Sequence, residues 1–147
     1  MDDELRVLAH EVFGLLSEYI EVHNDMIGRK WFAWLRKIDF GANSRRLAEV
    51  GAGLDASRQQ AVLLQQRPDA LSRHREYIAA MVSYIRELSH TVAMLGLVAA
   101  RLGQQAKGAD RYDITEYRQE METYRASVER YTEAGHMLVA AWNKAGL

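Results

Sequence analysis

The chain has 147 residues, of which 48% are hydrophobic, with a single proline, no cysteine and a net charge of −1. This length suits one domain with a buried core and is too short for two domains of ordinary size. The lack of cysteine excludes disulfides, thiol chemistry and cysteine-ligated zinc, and a near-neutral charge with scattered basic residues disfavours nucleic-acid binding.

The start of the chain and its most apolar run both disfavour a secreted or membrane-spanning protein. Asp2, Asp3 and Glu4 make the start acidic, whereas a secretory signal begins with basic residues. The apolar run 91–100 is about half as long as the segment of about 20 residues that spans a bilayer. We therefore expect a cytoplasmic protein without a transmembrane segment.

Apolar residues recur at helical spacing in the first part of the chain. One seam runs from Leu5 to Met26, and a second seam lies beside it. Two adjacent seams are typical of a helix that contacts more than one neighbour. The pattern predicts a first helix over residues 3–39, with a kink at Gly28.

The same periodicity predicts three further helices, over residues 44–66, 69–106 and 114–144. The third carries a long apolar seam spaced alternately by three and four residues, which makes it the centre of the predicted core. Short loops between helices predict antiparallel neighbours. We therefore predict an all-α fold, an elongated antiparallel four-helix bundle in up-down-up-down order, as one domain over residues 1–147.

The short turn between the third and fourth helices predicts which residues lie at the same level. The predicted pairs are Tyr117 with Gly103, Tyr124 with Gly96, and Tyr131 with Ser89. Bulky rings that meet small residues at the same seven-residue period are typical of helices in close contact. We interpret these tyrosines as packing residues of the hairpin rather than as catalytic groups.

The unequal lengths of the predicted helices indicate a binding surface. The third helix extends past the short second helix, and there its outward positions change from charged to apolar. The start of the first helix projects in the same way, so a protein partner or a second copy should cover both apolar ends. The predicted contact residues are Met94, Leu97, Ala100, Leu8, Val12 and Phe13, followed by Trp31 and Trp34. In the alternative, residues 29–40 fold back and cover the tip within one chain.

Two Glu-x-x-His motifs have the spacing found in carboxylate-bridged di-metal bundles. They are Glu87 to His90 and Glu133 to His136. Helical phase places all four side chains on outward positions, so we expect neither a metal site nor a cofactor. A metal-binding bundle enzyme with His and Glu ligands remains an alternative.

His23 and His74 differ from the other histidines because they lie on apolar stripes, and short loops would place them at one level. A buried histidine pair can bind a metal or respond to pH. Histidines in such positions are more often hydrogen-bonded core residues, and no third ligand converges with them in the sequence pattern.

His10 and Glu11, followed by Leu15 and Leu16, form a short motif that resembles the phospho-accepting box of histidine kinases. The resemblance covers only these few residues of the first helix. It implies phosphotransfer through His10 as a further alternative.

The segment 28–37 mixes aromatic and basic residues, a composition also found in helices that lie on membrane surfaces or in the grooves of partner proteins. We interpret it as a core stripe with a solvated face, and we do not expect membrane-surface contact. Taken together, the sequence predicts a non-enzymatic interaction protein of the adaptor, chaperone or inhibitor type, acting as a homodimer or on a protein partner.

Overall fold

The computed structural model describes residues 1–27, 38–108 and 111–147. These residues form four helices, which are α1 (Asp2–Met26), α2 (Phe40–Gln65), α3 (Ser72–Ala106) and α4 (Ile114–Ala145). Within the described ranges there is no strand, and every helix packs against a neighbour. The predicted all-α four-helix bundle is confirmed.

Helix α3 is the centre of the bundle, because it packs against α1, α2 and α4. Its buried residues are His74, Tyr77, Ile78, Met81, Tyr84, Ile85, Leu88, Thr91, Val92, Leu95, Val98 and Ala99. A helix with neighbours on several sides buries most of its circumference rather than a single stripe. The prediction that this segment carries the core is confirmed.

The first helix is shorter than predicted. α1 ends at Met26, and Ile38 and Asp39 are not helical, so the prediction of one helix over 3–39 is wrong at its end. The kink predicted at Gly28 lies outside the described residues.

Helix α2 begins at Phe40 rather than at Ser44, because Asp39 supplies its N-cap. The Asp39 carboxylate accepts a hydrogen bond from the Ala42 backbone N–H at 2.9 Å. The additional turn lengthens α2 at the end that faces the tip of α3.

The close approach of α2 to α3 occurs at small residues of α3. A Cβ atom added to Gly96 would lie 3.8 Å from Leu47 Cβ, and one added to Gly103 would lie 3.5 Å from Phe40 Cβ. Helix α2 therefore accompanies α3 as far as Gly103. The expectation that the end of α3 extends past α2 is wrong, because α2 starts one turn earlier than predicted and because its contacts lie further along α3 than predicted, with Leu47 beside Gly96 and Phe40 beside Gly103.

The N-terminal turns of α1 pack on the turn between α2 and α3. Leu5 and Leu8 are fully buried. The Glu4 carboxylate lies 2.5 Å from the Arg67 guanidinium, which belongs to that turn. The expectation that α1 projects without neighbours is therefore wrong. Because α1 ends at Met26 rather than at residue 39, its first turns lie level with the turn between α2 and α3.

The register of α3 and α4 follows the prediction from their short turn. Tyr77 contacts Trp142 edge to face at 5.5 Å between ring centroids, and a Cβ added to Gly135 would lie 3.3 Å from the Tyr84 ring. Each of these contacts joins residues equidistant from the turn. The predicted levels are confirmed.

The predicted partners of the tyrosines are wrong, although their levels are right. Gly96 and Gly103 face α2, as described above, whereas Tyr124 and Tyr131 turn towards Tyr19 of α1. The distance from a turn fixes the height of a residue along a helix. It does not fix the direction in which the side chain points.

The α1–α4 seam is wide. No Cα atom of α1 lies within 8 Å of a Cα atom of α4, whereas α1 approaches α2 and α3 within that distance. Large side chains therefore have to bridge the seam. The tyrosines described next form that bridge.

Candidate functional site

A buried polar chain joins α1 to α4. The hydroxyls of Tyr19 and Tyr124 share a hydrogen bond, and the Tyr124 hydroxyl lies 2.6 Å from His23 Nδ1. All three groups are satisfied when Tyr19 donates to Tyr124 and Tyr124 donates to the ring nitrogen of neutral His23. Tyr19 and Tyr124 are almost completely buried, and His23 is half-buried.

Burial sets the protonation of this chain. It raises the pKa of Tyr19 and of Tyr124 well above the ordinary value of a phenol, and it lowers the pKa of His23. All three groups are therefore held in their neutral forms. Neutral phenols bonded to each other and to an imidazole fasten two helices, and they offer no strong base or nucleophile.

Two more tyrosine rings extend the same cluster. Tyr131 contacts Tyr19 edge to face at 5.9 Å between centroids and contacts Tyr84 of α3 at 6.4 Å. Edge-to-face pairs at this spacing are favourable beyond the area that they bury. The cluster connects α1, α3 and α4 where the α1 and α4 backbones are far apart.

His23 and His74 do not form a common site. His23 contacts Tyr124, whereas His74 lies at the opposite end of the bundle beside the start of α1, with Nε2 2.7 Å from an Asp2 carboxylate oxygen. The Nδ1 atom of His74 accepts a hydrogen bond from the Leu71 N–H at 3.1 Å, so neutral His74 donates from Nε2. The prediction that both histidines lie at one level is wrong, because it assumed a short turn after residue 39.

The Glu-x-x-His motifs are placed on the surface. Glu133 and His136 are 3.8 Å apart and both largely exposed. Glu87 lies 3.6 Å from Arg130, and His90 is exposed. In residues 1–27, 38–108 and 111–147, no three His, Asp or Glu side chains are grouped so that they could hold a metal ion.

His10 and Glu11 are exposed on α1, on the side away from the core. An accessible imidazole on a helical bundle is what phosphotransfer requires. Phosphotransfer through His10 stays a prediction.

The predicted contact residues fall into different environments. Leu97 is 56% exposed and Ala100 is exposed, whereas Met94 is partly buried against the core. Leu8 and Val12 are fully buried inside the chain, so the structure leaves their side chains no free surface. Phe13 is 42% exposed, and Trp31 and Trp34 lie outside the described residues.

Gly96, the residue before Leu97, lines a shallow hollow between α2 and α3 that sequence analysis missed. The α2–α3 hollow has a volume of about 270 Å³ and is lined by Ser44, Leu47, Ala48, Gly51, Ser89, Val92, Ala93 and Gly96. Most of these residues have small side chains. The signal for it was present, because small residues recur at helical spacing at Ser44, Ala48 and Gly51 and again at Ser89, Ala93 and Gly96.

None of the residues that line this hollow is charged. We call the hollow and the exposed apolar residues on it or near it the α2–α3 face, and its exposed members are Ala48, Ala93, Leu97 and Ala100. A surface without charged side chains at its centre and with one protruding leucine resembles the core of a protein interface.

A second hollow lies between α1 and α4. The α1–α4 hollow has a volume of about 150 Å³ and is lined by Phe13, Tyr77, Leu138, Val139 and Trp142. Tyr77 has no solvent exposure, and its hydroxyl has no hydrogen-bond partner in the described residues. Sequence analysis missed this site because its residues come from three helices, whose relative rotation was unknown.

Comparison with known proteins gives no relative for this chain. No protein-family model, no curated protein and no solved structure matches it. Among the described helices, none is both long enough and apolar enough to pass through a bilayer.

Proposed function

We propose that this chain is a non-enzymatic interaction protein of the adaptor, chaperone or inhibitor type, and that its α2–α3 face binds a second copy of the chain. The observation that carries the proposal is the position of Leu97, which is 56% exposed and directly follows Gly96, a lining residue of the α2–α3 hollow. A protruding apolar side chain and a cavity therefore lie side by side on one face.

This combination is self-complementary. In a dimer with twofold symmetry the same face is used by both chains, so Leu97 of each chain can enter the hollow of the other. The small side chains of Ala48 and Ala93 allow two helices to approach closely around these leucines. Full burial of one leucine side chain contributes about 1.5–3 kcal/mol.

The test is the molar mass of the purified chain by light scattering, compared with that of the Leu97→Glu variant. Each dimer would lose two buried leucines, so we expect the dissociation constant of the dimer to rise at least about 100-fold. Circular dichroism should remain unchanged, because Leu97 is not a core residue.

Met137→Glu is the matched control, since Met137 is 65% exposed and lies on α4 outside both hollows. It adds the same charge and should leave the mass unchanged. Equal effects of the two substitutions would contradict a specific α2–α3 interface. The cytoplasmic location expected from the sequence stays a prediction beside this proposal.

A further inference from the structure

The buried polar chain of Tyr19, Tyr124 and His23 places one phenol between a hydrogen-bond donor and a base. With His23 neutral, Tyr124 donates to His23 Nδ1, which lies 2.6 Å from its hydroxyl oxygen. The same oxygen accepts a hydrogen bond from the Tyr19 hydroxyl. The His23 and Tyr124 rings are also stacked, with 5.8 Å between centroids and an interplanar angle of 29°. The hydroxyl proton of Tyr124 therefore has an acceptor inside the protein.

An acceptor at this position matters when an electron is removed from the ring. A phenol that has lost one electron is a far stronger acid than the phenol itself, so a tyrosine is oxidised readily only where its hydroxyl proton can leave as well. Tyr124 is 1% exposed, so bulk solvent does not reach this proton, whereas His23 does. Burial lowers the pKa of His23, which keeps the imidazole neutral and able to accept a proton near neutral pH.

Two other buried tyrosines lack this combination. The Tyr77 hydroxyl has no hydrogen-bond partner in the described residues, so no side chain there is placed to take its proton. Tyr112 donates to the Glu120 carboxylate, but the Arg101 guanidinium lies over the Tyr112 ring, 4.1 Å from its centroid. A cation is attracted to the electron-rich face of a ring, and this attraction becomes repulsion when the ring turns positive. Loss of an electron is therefore less favourable at Tyr77 and Tyr112 than at Tyr124.

We propose that Tyr124 is a site of reversible one-electron oxidation, in which the electron passes to an outer-sphere oxidant, such as a one-electron-accepting metal complex, and the hydroxyl proton passes to His23 Nδ1. The O–H bond of Tyr124 breaks and an N–H bond of His23 forms, so the products are a neutral tyrosyl radical, an imidazolium ion and the reduced oxidant. Tyr19 continues to donate to the radical oxygen and stabilises it. A one-electron reductant reverses the step, because His23 then returns the proton.

The test generates tris(bipyridine)ruthenium(III) by a light flash, with persulfate as the electron acceptor, in a solution of the full chain. Electron paramagnetic resonance then records the radicals. The wild-type chain should form a tyrosyl radical that outlasts the oxidant, because the buried Tyr124 ring cannot couple with a second molecule. Oxidation should be slower in heavy water, since an O–H bond breaks in the step. Tyr124→Phe should lose the long-lived signal.

Tyr77→Phe is the matched control, because it also removes the hydroxyl of a fully buried tyrosine, and it should keep the long-lived signal. His23→Gln separates proton acceptance from packing, since the Gln oxygen accepts a hydrogen bond but is not a base. It should lose the long-lived radical while its circular dichroism remains that of the folded chain. A long-lived tyrosyl signal of wild-type size in Tyr124→Phe or in His23→Gln, or a tryptophan radical alone in the wild-type chain, would overturn the proposal.

Discussion

The α2–α3 seam and the α1–α4 seam are built from side chains of opposite size. Glycines of α3 admit Leu47 and Phe40 of α2, and these two helices lie close together. Tyrosines fill the other seam, where no Cα atoms of α1 and α4 come within 8 Å of each other. Side-chain size at a seam therefore sets the spacing of the two helices and the kind of surface that remains beside them. The close seam leaves a shallow hollow lined mostly by small residues, and the wide seam leaves a hollow lined mostly by aromatic residues.

We expect the largest loss of stability when a bridging ring is removed from the wide seam. Tyr124→Ala should lower the free energy of unfolding by about 3–5 kcal/mol, as is typical when a buried aromatic side chain is deleted. Urea denaturation measures the change.

Tyr124→Phe is the matched variant for this experiment, because it keeps the ring and removes only the hydroxyl. Tyr19 and His23 then lose a shared partner, and we expect a smaller loss of about 1–3 kcal/mol. If Tyr124→Ala cost no more than Tyr124→Phe, the ring would not be holding the helices apart.

The close α2–α3 seam should be destabilised when a large residue replaces a glycine of α3. Gly103→Leu forces a branched side chain against Phe40 Cβ and the Gly41 backbone N, which lie 3.5 and 3.9 Å from an added Cβ, and should destabilise the fold by about 1–3 kcal/mol. Gly96→Ala, in contrast, adds a Cβ at an ordinary contact distance of 3.8 Å and should stabilise the helix by about 0.5–1 kcal/mol. Thermal unfolding of both variants gives the two signs, and a tolerated leucine would show that the seam is not tightly packed.

The hydrogen-bonded chain of Tyr19, Tyr124 and His23 in the wide seam should make the free energy of unfolding depend on pH. We expect this effect to be smaller than those of the substitutions above. Burial lowers the pKa of His23, so as the pH falls the unfolded chain binds a proton at this residue before the folded chain does. The stabilisation is present above the ordinary histidine pKa of about 6.5 and is lost as the pH falls through the lowered value.

His23→Gln keeps a polar side chain that does not titrate, and it should flatten the unfolding free energy measured from about pH 7.5 to pH 5. Asp2 and Glu4 act at lower pH. Desolvation raises the pKa of Asp2, but the hydrogen bond with His74 and the charge of Arg73 outweigh it, so the pKa of Asp2 is lowered. The hydrogen bond with Arg67 lowers the pKa of Glu4. If the free energy of unfolding of the wild-type chain did not change between about pH 7.5 and pH 5, the role given to His23 would be contradicted.

The sequence was sufficient for the all-α class and the four helices of the bundle, though not for the end of α1, and also for the central position of α3 and the levels of the α3–α4 hairpin. These features depend on apolar periodicity and on turn length, which are local properties. The start of α2 was predicted at residue 44 and lies at Phe40, because the Asp39 side chain caps the helix.

The sites were less predictable than the helices. The exposure of Leu97 and Ala100 follows from helical phase, whereas Met94, on the same helix, is partly covered. The partners of Tyr124 and the orphan hydroxyl of Tyr77 depend on how each helix is rotated about its axis. A single sequence carries little information about that rotation.

Light scattering of the unmodified chain tests the central claim most directly. If the α2–α3 face binds a second copy through Leu97, the measured mass at micromolar concentration should be twice the 16.8 kDa of one chain and should fall to 16.8 kDa for Leu97→Glu. A mass of 16.8 kDa for the unmodified chain at every concentration tested would contradict it.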